Sequence, residues 1–124
     1  MIAGNGVDIV EVSRVADRVR KGNGFREKVF SLREIEYCER SANPDENFAA
    51  RFAAKEAFLK ATGMGMLLGY ELNEIEISND ENGKPSITLA GKFADFLKEK
   101  GWSAIHVSVS HTQTMACAFV IIEK

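Results

Sequence analysis

Two carboxylates and a group of cations set the chemistry open to this chain. Asp8 closes a glycine-broken apolar stretch, Gly6-Val7-Asp8, and Glu56 lies inside the run Arg51-Phe52-Ala53-Ala54-Lys55-Glu56-Ala57-Phe58-Leu59-Lys60. A carboxylate at a strand end and another on a helix suit a hard cation if the fold brings them together. Magnesium takes one or two protein carboxylates and fills its remaining positions with water and phosphate oxygens, so a sparse site is sufficient. The plainer alternatives are a turn aspartate and a surface glutamate paired with Lys60 at i+4. The same run places cations where a helix should be apolar. At about 100° per residue, Phe48, Phe52 and Leu59 share one stripe, with Lys55 in its middle and Arg51 just to one side. Glu56 and Lys60 lie on the other flank. A charge in such a stripe must snorkel to water or meet a partner of opposite sign, and a polyanionic ligand is one such partner.

Arg51, Lys55 and Lys60, followed by Gly63-Met64-Gly65-Met66-Leu67-Leu68-Gly69, would offer charge and backbone donors to a diphosphate. No GxxxxGK[ST] occurs and no strand leads into these glycines, so a nucleotide site here is not of the Walker type. His106 and His111 are the only histidines. Strand alternation puts His106 and Ser108 on one face and His111 at the turn. A Ser/His/Asp triad has no GxSxG elbow behind it, whereas a turn histidine beside Thr112 can bind a terminal phosphate or simply face solvent.

The charge pattern adds a partner. Arg14, Arg18, Arg20, Lys21, Arg26, Lys28 and Arg33 outnumber Asp17 and Glu27 between positions 14 and 33, while Glu71 to Glu81 carries five acids and no base. Over a net charge of -2, this argues against general nucleic-acid binding and for an acidic protein partner steered to the basic face, unless that face is only solvated.

The elements that must position these groups follow from periodicity. The 124 residues, 45% hydrophobic, match one globular domain over 1–124. Ile2 to Val10 reads as a strand. Ser13 can cap a helix with Val12, Val15, Ala16 and Val19 at helical spacing, and Gly22-Asn23-Gly24 ends it. Ser31-Leu32-Arg33-Glu34 is a capping box opening a second helix to about Arg40. Ser41 to Glu46 reads as a loop, and Asn47 to Thr62 as an alanine-rich helix stopped by Gly63. Leu72 to Ser78 and Pro85 to Leu89 read as a hairpin turned at Asn82-Gly83, Phe93, Phe96 and Leu97 as a further helix, and Ala104 to Ser110 and Met115 to Ile122 as closing strands. This order predicts an α+β fold with a mixed or antiparallel sheet packed with helices. Cys38 and Cys117 form no ligand motif and suit reduced thiols in a cytoplasmic protein. No apolar run approaches the roughly 20 residues of a membrane span.

Gly6-Val7-Asp8 and, after some forty residues, Phe52-Ala53-Ala54-Lys55-Glu56-Ala57-Phe58-Leu59-Lys60 together resemble the two-part signature of the phosphopantetheinyl transferases. Arg51, Asn82-Gly83-Lys84-Pro85 and His106-Val107-Ser108-Val109-Ser110-His111-Thr112 look like their single-domain bacterial branch, and the match runs from about Ile2 to Ile122. The resemblance implies transfer of phosphopantetheine from coenzyme A to a serine of apo acyl carrier protein, in fatty-acid synthesis, releasing adenosine 3′,5′-bisphosphate. It implies Asp8 and Glu56 as Mg2+ ligands, and catalytic Glu56, Lys60 and Asp8, with Lys60 close to the diphosphate. Arg51, His111 and Thr112 fall near the ribose phosphate and Pro85 near the adenine, Gly63 and Gly65 join the donor site, and Lys55 either positions Glu56 or joins the donor site by binding phosphate. Arg14, Arg18 and Lys21 dock the acidic carrier. A homotrimer with sites between subunits is implied, since larger relatives carry two such halves in one chain and this chain has one. The base that takes the serine proton stays open between Glu56 and a water activated by the metal. A hydrolase using water as acceptor, or a noncatalytic coenzyme A or carrier binder, would use many of the same residues.

Overall fold

The computed structural model describes residues 1–64 and 70–124. Strand β1 (Ile2–Glu11) pairs antiparallel with β5 (Met115–Glu123), which pairs antiparallel with β4 (Ala104–His111), giving the order β1-β5-β4. Strands β2 (Ile75–Asn79) and β3 (Pro85–Leu89) form a separate antiparallel hairpin. Helices α1 (Val12–Arg20), α2 (Phe25–Val29), α3 (Leu32–Arg40), α4 (Pro44–Thr62) and α5 (Gly91–Lys100) complete an α+β fold whose sheets are antiparallel rather than mixed.

Helix α4 is the central element. Its face Ala53, Ala54, Ala57, Phe58 and Ala61 is buried against Ala118, Val120 and Ile122 of β5, with Ile75, Ile77 and Phe93 closing the same core. A second core joins α1, α2 and α3 to the first half of α4 through Val15, Phe30, Ile35, Cys38 and Phe48. Alanines let the helix axis approach the sheet, and the glycines of β1 complete that approach. A Cβ on Gly4 would stand 2.0 Å from the Ala61 carbonyl oxygen, and one on Gly6 would stand 2.1 Å from that of Ala57. Gly4, Gly6 and Asp8 alternate onto the face of β1 turned to α4, while Val7 and Ile9 point away and are 58% and 65% exposed.

Several boundaries differ from expectation. Helix α1 begins at Val12, with Glu11 as an extended N-cap and no side-chain cap, so Ser13 is not its cap. Its entry is set by tertiary structure, since the Val12 N–H donates to the Thr114 carbonyl at 2.9 Å. Residues 44–46 belong to α4 rather than to a loop. Pro44 occupies the first turn, where its missing N–H is harmless, followed by Asp45 and Glu46 where carboxylates favour the helix N-terminus. The short α2 has too few residues to show a period. Leu72–Glu74 form a 3-10 turn before β2. The Ser31–Glu34 capping box is present, and Gly63 stops α4 in the left-handed region at φ 72°. No helix among the described residues is long and apolar enough to cross a membrane.

Candidate functional site

The glycine contact between β1 and α4 decides where the carboxylates go. It brings Asp8, two residues beyond Gly6, beside the last turns of α4, where Lys60 Nζ donates to Asp8 Oδ1 and to the Val7 carbonyl, both at 3.0 Å. Lys60 stays 57% exposed while Asp8 is only 15% exposed, so the ammonium is open to a ligand and the carboxylate is fixed. Glu56, one turn before Lys60, is half-buried. Burial, then the nearby charge of Asp8, pushes its carboxyl up from the ordinary range, with Lys60 and Arg18 opposing. Asp8 and Glu56, the charge of the first close enough to raise the proton affinity of the second, form a hard, sparse oxygen set. Among the described residues no group of three or more His, Cys, Asp and Glu gathers anywhere, so the set fits a magnesium ion that keeps most positions for water and phosphate.

Lys55 does not belong to this site, against the sequence expectation that it meets a polyanionic ligand. Its side chain is fully buried and its ammonium donates to Glu34 Oε1 at 2.7 Å, to the Leu72 carbonyl at 3.0 Å and to the Ile75 carbonyl. The partner demanded by a cation in an apolar stripe is therefore a protein carboxylate. Glu34 in turn accepts from the Ser31 N–H at 2.9 Å and the Ile77 N–H at 3.0 Å, so one buried carboxylate ties α3, α4 and β2 together.

Arg51 is also buried, at 4% exposure. Its guanidinium donates to Asn79 Oδ1 at 2.7 Å and stacks over the Tyr37 ring at 4.3 Å. Its Nε is buried with no hydrogen-bond partner among the described residues. Arg51, His111 and Pro85, far apart in sequence, line one pocket of about 340 Å³ with Tyr37 and Asn79, and among the described residues no carboxylate lines it. Thr112 follows at the β4–β5 turn, where its Oγ1 accepts from the Met115 N–H at 3.1 Å and its own hydroxyl hydrogen stays available. Gly63 caps α4 and is exposed. Gly65 lies outside the described residues.

Sequence reasoning missed Glu46, whose Oε1 lies 2.8 Å from His111 Nδ1. Its assignment to a loop concealed it, although a carboxylate three residues after Asn43 at a helix start is a readable signal. His106 pairs with Glu123 across the sheet, which gives no serine-nucleophile arrangement. A wider groove of about 770 Å³ runs between α1, α2 and the start of α4. Its cations Arg20 and Arg26 are held by Asp45, Glu27 and Glu39, and it lies apart from Asp8, Glu56 and Lys60. Arg14, Arg18 and Lys21 are exposed on and just after α1. Arg18 stacks 4.1 Å over Phe25 and carries the basic face up to Glu56.

A family model described as the 4'-phosphopantetheinyl transferase superfamily matches residues 4–120. The holo-[acyl-carrier-protein] synthase of Syntrophus aciditrophicus is 45% identical over 99% of this chain and 97% of its own length. The crystal structure of the corresponding synthase from Neisseria meningitidis matches with a TM-score of 0.90 and 34% identity, covering 100% of both chains. That of the Helicobacter pylori synthase, solved in complex with coenzyme A, matches with a TM-score of 0.83 and 28% identity, covering 96% of this chain and 99% of the other.

Proposed function

Because the chain belongs to the 4'-phosphopantetheinyl transferase superfamily, as an enzyme of its holo-[acyl-carrier-protein] synthase branch, we propose that residues 1–124 act as one magnesium-dependent transferase domain. It moves the 4′-phosphopantetheine arm of coenzyme A to a serine hydroxyl of apo acyl carrier protein and releases adenosine 3′,5′-bisphosphate. The observation that carries this reading is the meeting of Asp8, Glu56 and Lys60 across the Gly6–Ala57 contact.

Asp8 and Glu56 would hold Mg2+, which supplies charge neutralisation on the diphosphate and orients it for in-line attack. Lys60, anchored to Asp8 yet open to solvent, stands where it shares the charge developing on the leaving phosphate. Arg51, His111 and Thr112 receive the 3′-phosphate, and Pro85 borders the adenine. The partnerless Arg51 Nε in a carboxylate-free pocket supports an anion there. The exposed cations Arg14, Arg18 and Lys21 steer and dock the acidic carrier.

The two halves of this site face different ways in one chain. Arg51 and Glu56 are five residues apart on α4, about 140° around the axis. A second copy placing its pocket against the first copy's carboxylates would complete the site, which supports a homotrimer with sites between subunits. The face of the three-stranded sheet turned away from α4, with exposed Val7, Ile9 and Phe119, supplies apolar surface for that contact. The reduced cysteines suit action in the cytoplasm, on the carrier of fatty-acid synthesis.

Asp8→Ala and Glu56→Ala test the reading. Each should abolish transfer while the circular-dichroism spectrum and oligomeric state stay as in the parent. Full transfer by either purified variant would remove the carboxylate pair from the mechanism.

A further inference from the structure

The Glu46–His111 contact has no place in the chemistry above, and an acid beside a pocket meant for an anion calls for a reason. Glu46 lies in the first turn of α4, where the helix N-terminus favours a carboxylate. Its side chain is 17% exposed and lines the groove behind His111 rather than the pocket in front of it. The carboxylate oxygen can only accept, so at 2.8 Å it fixes the hydrogen on His111 Nδ1. In the neutral ring that leaves Nε2 as a lone pair, which repels a phosphate dianion, and only a second proton turns Nε2 into a donor.

We propose that Glu46 is a positioning residue: it holds His111 by Nδ1 so that Nε2 meets the donor's 3′-phosphate and takes up one proton from solvent as that phosphate binds. The inference rests on the reading that this pocket receives the 3′-phosphate. The other groups around the ring agree with it. Arg51 comes from α4, Tyr37 from α3, Asn79 and Pro85 from the β2–β3 hairpin and Ser110 from β4, so the pocket walls bring one permanent cation and no competing carboxylate. Once His111 carries two protons, Glu46 and the phosphate each accept one of its N–H groups. The acid then stabilises the ring's charge instead of opposing the ligand.

The experiment is isothermal titration calorimetry of adenosine 3′,5′-bisphosphate and adenosine 5′-monophosphate at pH 7.5, in buffers of different ionisation enthalpy, on the parent, Glu46→Gln, His111→Ala and the double variant. The parent should take up close to one proton with the bisphosphate and fewer with the monophosphate. Glu46→Gln should lose much of that uptake and bind the bisphosphate roughly tenfold more weakly, as expected for removing the group that orients a ligand-binding histidine. Monophosphate affinity should not change, and in the His111→Ala background Glu46→Gln should have no further effect. In steady state the loss should appear in KM for coenzyme A, with kcat kept at saturating donor, a split that a general weakening of the fold would not produce. A parent that binds both nucleotides equally would overturn the 3′-phosphate reading and this inference with it. A parent that prefers the bisphosphate, with unchanged proton uptake and affinity in Glu46→Gln, would overturn the role of Glu46 alone.

Discussion

Replacing Lys55 by methionine should destabilise the fold far more than any surface lysine change. Both side chains of the Lys55–Glu34 pair are fully buried, so removing the ammonium leaves a carboxylate in the core. Breaking such a pair from one side typically costs about 3–5 kcal/mol. The Ser31 and Ile77 N–H groups still reach Glu34, which argues for the lower part of that range. The Leu72 and Ile75 carbonyls lose a donor, which raises it again. Burial already pushes the Lys55 proton affinity down, with Glu34 opposing, so Glu34 and the two carbonyls hold the charge in the core. For a chain of this size, about 3–5 kcal/mol corresponds to a Tm lower by roughly 10–20 °C. Urea unfolding at fixed protomer concentration should show a lower midpoint with an unchanged slope. Lys55→Met combined with Glu34→Leu should recover much of the loss, because an apolar pair of similar volume often matches a buried ion pair. A Lys55→Met variant within about 1 kcal/mol of the parent, or a double variant no more stable than the single one, would refute the reasoning. Any loss of transfer in the folded variant should follow its stability rather than its affinity for coenzyme A, since Lys55 faces Glu34 and not the ligand.

Three further outcomes follow. Gly6→Ala should push β1 off α4 and separate Asp8 from Lys60, lowering both stability and transfer, whereas Gly22→Ala, at φ 69° with nothing within 4 Å, should cost only about 1–2 kcal/mol and leave transfer intact; equal effects in melts and activity would contradict the backbone contact. Glu56→Gln should raise the Tm of chelator-treated protein at neutral pH. A carboxyl whose folded proton affinity is raised favours the fold while protonated, and that contribution is lost as pH rises through its folded pKa. The gain should therefore shrink in acid, and a variant equally stable or less stable at neutral pH would oppose it. Reversing charge at Arg14 and Lys21 together should weaken carrier binding, with the parent's affinity falling steeply with salt; an unchanged affinity would take α1 out of the docking surface.

Asp8, Glu56 and Lys60 stood out by residue type, but their spacing alone left a turn aspartate and a surface ion pair as alternatives, and the resemblance to the family signature singled them out, while Gly4 and Gly6 already marked a close backbone approach. The partner of Lys55 was not readable. The anomaly of a cation in an apolar stripe was visible, but Glu34 sits 21 residues earlier and had already been explained by its capping box. One side chain serves both roles: its Oε1 accepts from both the Ser31 N–H and the Lys55 ammonium, while its Oε2 accepts from the Ile77 N–H. The pocket proposed for the 3′-phosphate was legible residue by residue and not as a pocket, since only the antiparallel register and α4 bring Arg51, Pro85 and His111 together. Glu46 was hidden by a boundary error, because Pro44 reads equally as a loop residue or as the first residue of a helix.

Intact-mass spectrometry of an apo acyl carrier protein, incubated with this chain, coenzyme A and magnesium with and without a chelator, tests the central claim most directly. A gain of one phosphopantetheine group is expected, disappearing with chelator and absent with Asp8→Ala or Glu56→Ala. An unmodified carrier, or a gain that persists without divalent metal, would contradict it.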